Sequence, residues 1–92
     1  MRSEPYEVAW SSTARRDLTR LPEKVATAAV EFIYGPLALS PHRVGGPLRL
    51  HLEGLFSARR GDYRIIYTVD DEKHVVQVVT VEHRSEVYRR RR

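Results

Sequence analysis

Arginine supplies most of the chemistry this sequence offers. Arg59 and Arg64 stand in the run ARRGDYRIIY, and His83, Arg84 and Tyr88 stand in HRSEVYRRRR. A guanidinium carries forked donors that match a phosphate, and it stays protonated at any physiological pH. A tyrosine ring beside it can stack on a base, and an imidazole can move a proton near neutrality. These types together suit the binding of a nucleic acid through its phosphates and bases. Arg49, Arg60, Arg89 and Arg90 add positive charge, and Ser57 adds a hydroxyl close to Arg59. The same arginines would equally serve as a solvated face, paired with Glu53, Asp62 or Glu82. His42, His51 and His74 have no spacing that suggests a metal site, so no metal is expected. There is no glycine-rich phosphate loop, no GxSxG and no paired-carboxylate signature.

Elements that would position these residues can be read from periodicity. Tyr6, Val8 and Trp10 alternate with polar or small residues, as in a half-buried strand. Ser11 or Ser12 can cap a helix, with Asp17 near its first turn. Leu18, Leu21, Val25, Ala28, Ala29, Phe32 and Ile33 then recur at helical spacing. Pro22 divides this stretch into helices from Ser12 to about Leu21 and from Pro22 to about Tyr34, and Gly35-Pro36 should stop the second. Residues 35–53 read as loop, with an extended piece around Leu48–Leu52. Strands follow at Leu55–Arg60, Asp62–Val69 and Val75–Glu82, with DDEKH as a hairpin loop. The order is β-α-α-β-β-β, an α+β domain whose antiparallel sheet packs against two N-terminal helices. SEVYRRRR would be a short helix or a tail.

Alternation assigns the faces. Tyr63, Ile65, Tyr67 and Val69 should meet the helices, together with Phe56 and Ala58. Ser57, Arg59 and Arg64 then share the open face, with His83, Arg84 and Tyr88 arriving at its edge and Arg49 within reach from the loop. In the last strand Val76, Val78 and Thr80 should share one face, and Val75, Gln77, Val79 and Val81 the other.

Composition limits the alternatives. The 92 residues are 41% hydrophobic and 30% charged, with no cysteine, so disulfides and thiol nucleophiles are excluded. Lysine and arginine number 16 against 12 acidic residues, and 14 of the 16 are arginine. Residues 1–83 balance at 11 basic and 11 acidic, so the net charge of +4 resides in residues 84–92, a basic C-terminal tail. Such a tail favours a polyanion or simply stays solvated. Residues 1–92 read as one domain. The opening MRSEPYEVAW lacks a signal-peptide run and no apolar stretch is long enough to span a bilayer, so a cytoplasmic protein without a membrane partner is expected.

The runs STARRDLTRLPEKV, PLRLHLEGL, ARRGDYRIIYTVDDE and VEHRSEVYRRR together resemble the RelE/ParE superfamily of bacterial toxins, over nearly the whole chain. The resemblance implies the RelE-like fold and the toxin role of a type II toxin–antitoxin system. Its nearest type is a ribosome-dependent endoribonuclease, an mRNA interferase that cuts mRNA in the ribosomal A site and so inhibits translation. Such toxins use no metal and no cofactor. The ribose 2′-OH attacks the adjacent phosphate, leaving a 2′,3′-cyclic phosphate and a 5′-OH.

Carried over by position, the catalytic set is Arg64, Arg84 and Tyr88, with Arg59 and Ser57 where the family has two lysines. Arg59 keeps the charge and Ser57 does not. His83 is the substitute expected for proton transfer, because arginine is a poor base. Arg49, Ser57, Arg60, Arg89 and Arg90 would bind RNA. The implied partners are a RelB-like antitoxin, mRNA and the ribosomal A site, with DNA met only through the antitoxin complex. Two alternatives remain open: a ParE-like toxin that inhibits gyrase without cleaving RNA, and a toxin scaffold with little remaining activity.

Overall fold

The computed structural model describes residues 4–48 and 54–83. The first alternating run forms β1 (Glu7–Trp10), and Ser11 caps the helix that follows by accepting the amide of Ala14 at 2.9 Å. Helix α1 (Ser12–Arg20) ends where Pro22 forces extended backbone, and α2 (Glu23–Phe32) begins directly after it. The two-helix reading and the Pro22 break are as expected. Asp17 is not a first-turn residue: it lies in the body of α1 and is buried. Ala28 is exposed.

Gly35-Pro36 does not stop the helical path. Ile33–Leu37 form a π-helical turn containing Pro36, and the path runs on to residue 39. The wider turn tolerates a residue without an N–H. Ile33 and Leu37 are fully buried on either side of the proline, so packing holds the turn in place. The loop expected beyond it contains α3 (Pro41–Val44) and the two-residue strand β2 (Gly46–Pro47). The extended piece expected at Leu48–Leu52 lies mostly outside the described residues.

Three long strands complete the fold: β3 (Phe56–Arg60), β4 (Tyr63–Asp70) and β5 (Val75–His83). Each agrees with its expected range to within a residue. The sheet order is β1-β5-β4-β3-β2, so the last strand lies beside the first. The pairs β3–β4 and β4–β5 are antiparallel as expected, β2 adds to β3 antiparallel from the segment read as loop, and β1 pairs with β5 in parallel, which makes the sheet mixed. Local alternation carries no information on which distant strand β1 joins. Both helices lie on one face, where Ala14, Leu21, Ala29, Phe32 and Ile33 meet Ala58, Ile65, Tyr67, Val76, Val78 and Val81.

Strand β5 departs from simple alternation. Its register against β4 shifts between Ile66 and Tyr67, which pair with Thr80 and Val78 and leave Val79 without an opposite residue. Val81 therefore joins Val76 and Val78 in the core, while Thr80 sits on the other face. This corrects the grouping expected from sequence, because an extra residue reverses every later side chain. The cause is local. Strand β1 ends at Trp10, opposite Val78, and side chains take over its hydrogen bonds. Ser11 Oγ donates to the Val79 carbonyl at 2.7 Å, and Asp17 Oδ2 accepts the Val81 amide at 2.9 Å.

Gly45 is required by closeness rather than by conformation. A methyl there would lie 2.6 Å from the Ser57 carbonyl oxygen and closer still to the Tyr67 hydroxyl. Gly45→Ala is expected to lower stability by about 1–3 kcal/mol, because neither β3 nor the tyrosine can move without disturbing the core. Chemical denaturation of the variant beside the parent checks this.

Tyr67 is fully buried, and its hydroxyl donates to the Pro41 carbonyl at 2.7 Å. Burial pushes its pKa up to about 12 from 10.0. The neutral phenol is thus favoured in the folded state. Its contribution is complete below the unfolded pKa of about 10 and is lost as pH rises towards about 12. Unfolding free energy should accordingly fall across that alkaline window. Tyr67→Phe should flatten much of the fall and cost about 1 kcal/mol at neutral pH. Denaturant titrations from neutral to strongly alkaline pH read both effects.

Candidate nucleic-acid interface

A tight turn sets the geometry of the candidate site. Arg60 pairs with Tyr63 across a two-residue connection, Gly61-Asp62, in which Gly61 takes φ +56. That positive φ suits glycine, and the short turn leaves a single register for β3 against β4. Arg59 therefore lies directly opposite Arg64, and Arg64 lies directly opposite Glu82 on β5. The three side chains form one row across three strands, on the face away from the helices. Directly opposed residues have Cα atoms only about 4.5–5.5 Å apart, and like charges so placed repel. Two guanidinium groups held side by side weaken the fold and strengthen any site that takes an anion. Arg64 is half-buried and Arg59 exposed, so one can grip and the other can reach.

The next row on this face is Ser57, Ile66 and Thr80. Ile66 is only 8% exposed, and Thr80 Oγ1 is buried without a hydrogen-bond partner. The face is therefore not a bare polar surface. It has an apolar floor beside the charged row.

The structure brings Arg59, Arg64 and Ser57 together, as the alternation implied. It does not bring His83 or Arg60 to them. His83 pairs with Tyr63, and Arg60 pairs with Tyr63 from the other side, so all three share the helix-side face. The expected arrival of His83 at the edge of the open face fails because the β5 bulge sets the phase of that strand's end. The Arg60 guanidinium lies 4.7 Å from the centre of the Phe32 ring, a cation–π contact, at the rim of a cavity of about 390 Å³ that Tyr63 also lines. Burial raises the Tyr63 pKa, and the Arg60 charge opposes that rise. Arg49, Arg84, Tyr88, Arg89 and Arg90, with the tail at residues 84–92, lie outside the described residues.

A second polar cluster sits where the β4–β5 turn meets β1 and α3. Tyr6 donates to Asp71 Oδ1 at 2.6 Å, and His42 Nε2 lies 3.0 Å from the same oxygen. His74 stacks on the Tyr6 ring at 3.8 Å between centres. The hydrogen bonds from Tyr6 and His42 hold the Asp71 carboxyl below its usual range, and the same carboxylate raises the Tyr6 hydroxyl. No spacing in the sequence links these four residues.

A family model described as the ParE toxin of type II toxin–antitoxin systems, parDE, matches residues 8–88. The chain belongs to this toxin family. The toxin is 59% identical to Toxin RelE of Mycobacterium tuberculosis over 85 residues, covering 92% of this chain and 88% of that protein. It is 52% identical to Toxin RelG of the same organism, covering 94% of this chain and 99% of that one. Among solved structures, the M. tuberculosis toxin–antitoxin complex RelBE2 superposes with a TM-score of 0.85 at 52% identity, over 88% of this chain and 100% of the other. A double arginine-to-alanine variant of Escherichia coli toxin RelE in the free state superposes at 0.66, with 26% identity and 92% of each chain covered. The toxin thus has the α+β RelE fold and is a RelE-like member of a type II toxin–antitoxin system. Among its described residues no helix is long and apolar enough to cross a membrane.

Proposed function

We propose that this toxin is a ribosome-dependent endoribonuclease that cuts mRNA in the A site and so stops translation. The observation that carries the reading is the opposed pair Arg59 and Arg64 on the face away from the helices. The names of its RelE and RelG relatives support it. In this mechanism the ribose 2′-oxygen attacks the adjacent phosphorus as the bond to the 5′-oxygen breaks. The 2′-hydroxyl gives up its proton, the leaving 5′-oxygen gains one, and the products are a 2′,3′-cyclic phosphate and a 5′-OH. Arg64 and Arg59 hold the non-bridging oxygens and stabilise the charge that builds in the pentacoordinate transition state. Arg84 assists the leaving oxygen, and Tyr88 stacks on or orients the nucleotide. Arg49, Ser57, Arg89 and Arg90 contribute to binding the RNA backbone. The ribosome supplies substrate orientation, so cleavage of free RNA is weak.

Residues 1–92 act as one toxin domain in the cytoplasm, with residues 84–92 as its basic tail. A RelB-like antitoxin is the partner. The RelBE2 structure and the archaeal RelE–RelB structure from Pyrococcus horikoshii are toxin–antitoxin complexes, the latter at 26% identity. An acidic and apolar antitoxin segment would cover the arginine row and fold as it binds. Contact with DNA then passes through the antitoxin.

The description of the matching family model favours one rival, a ParE-like toxin that inhibits gyrase by binding. Induced expression in a bacterium, followed by primer extension on an abundant transcript, tests between them. New ends inside translated codons are expected. Growth arrest with intact transcripts and relaxed plasmid DNA would instead establish the gyrase reading.

A further inference from the structure

We propose that Glu82 is the proton acceptor for the attacking 2′-hydroxyl, an inference that rests on the RNA-cleaving reading. The bulge in β5 is what places it. Because Val79 has no opposite residue on β4, Glu82 shares the Arg59–Arg64 face, and His83 does not. Neighbouring strands lie about 4.8 Å apart, so a phosphate held by Arg64 has its 2′-oxygen within reach of a carboxylate on the next strand. A general base must first meet that geometric condition.

No other described group on this face meets it. The two arginines stay protonated. Ser57, Thr68 and Gln77 are neutral, and Thr80 Oγ1 is enclosed. The carboxylates of Asp70 and Glu7 share a row at the far end of the face, six residues along β4 from Arg64. Asp62 lies in the hairpin turn and is engaged with another group. Glu82 is half-buried and stands directly opposite Arg64, in the row that would hold the phosphate. Its carboxylate takes the proton as the 2′-oxygen bonds to phosphorus. The phosphorus–5′-oxygen bond breaks as the 2′-oxygen–phosphorus bond forms, and the departing 5′-oxygen takes its proton from solvent water.

The test is single-turnover cleavage of an mRNA positioned on purified ribosomes, using the full-length toxin. Parent, Glu82→Gln and Glu82→Ala are compared, each checked by circular-dichroism melting. Glu82→Gln should cleave about 10²–10⁴-fold more slowly with ribosome affinity unchanged, the range ascribed to a positioned base. Added formate should restore Glu82→Ala in proportion to its concentration, which a merely structural residue would not allow. Cleavage by Glu82→Gln at the parent rate or faster would overturn the proposal and leave Glu82 as a counter-charge to Arg64. Loss of the fold in both variants would also overturn it, assigning Glu82 to the scaffold. A parent toxin that leaves the positioned mRNA intact would remove the RNase reading itself, and this assignment with it.

Discussion

Arg64→Ala should cleave ribosome-bound mRNA about 10²–10³-fold more slowly than the parent, the usual loss when one preorganised charge-stabilising donor is removed. The same substitution should leave the melting temperature unchanged or slightly raised. Arg64 stands directly opposite Arg59, so its removal relieves a repulsion within the sheet. Loss of activity without loss of stability marks a residue retained for its site. Arg64→Lys should recover only part of the rate, because an ammonium keeps the charge but not the planar fork. Single-turnover cleavage and thermal melting of the three proteins supply both readings. If Arg64→Ala cut at the parent rate, the arginine row could not be where the phosphate is held.

The second large effect falls on the scaffold. Asp17→Ala should destabilise the toxin by about 1–3 kcal/mol, since the Val81 amide would lose its acceptor in a buried position. Asp17 is 7% exposed and accepts that amide at 2.9 Å. For a domain of this size each kcal/mol lowers the melting temperature by about 4–8 °C. Asp17→Asn retains an acceptor oxygen and should lose clearly less. The consequence reaches the site, because Val81 directly precedes Glu82 and the Asp17 bond helps hold the bulge that sets their phase. A melting temperature for Asp17→Ala within a degree or two of the parent would show that the bulge stands without it.

Much of this arrangement was legible in the sequence. The spacing of Leu18, Leu21, Ala29 and Phe32 and the break at Pro22 gave both helices. The alternation in DYRIIYTV placed Arg64 on the face opposite Tyr63, Ile65 and Tyr67. These features depend on neighbours along the chain, where propensity and period act directly. What was not legible depends on partners far away. The parallel pairing of β1 with β5 has no local signature. The bulge at Val79 arises from Ser11 and Asp17, more than sixty residues earlier, so VVQVVTVE reads as an unbroken alternation. That single displacement moved Val81 into the core, carried His83 away from Arg64 and brought Glu82 towards it. Pro36 misled for a similar reason: buried Ile33 and Leu37 hold a helical path that the proline alone would end.

The Tyr6, His42, Asp71 and His74 cluster was equally hidden, since its members come from three segments far apart in the chain. Its exposed hydrogen bonds tie the start of β1 and α3 to the β4–β5 turn. It lies at the end of β4 away from the Arg59–Arg64 hairpin, and it has no part in the cleavage account.

The most direct measurement is product analysis on two synthetic messages positioned on ribosomes with the purified toxin. One carries ribose throughout, and the other carries a single 2′-deoxy sugar at the nucleotide whose phosphate is cut. The account predicts a 2′,3′-cyclic phosphate and a 5′-OH from the first message, and no cleavage at that position in the second. Equal cutting of both messages, or of neither, would contradict it.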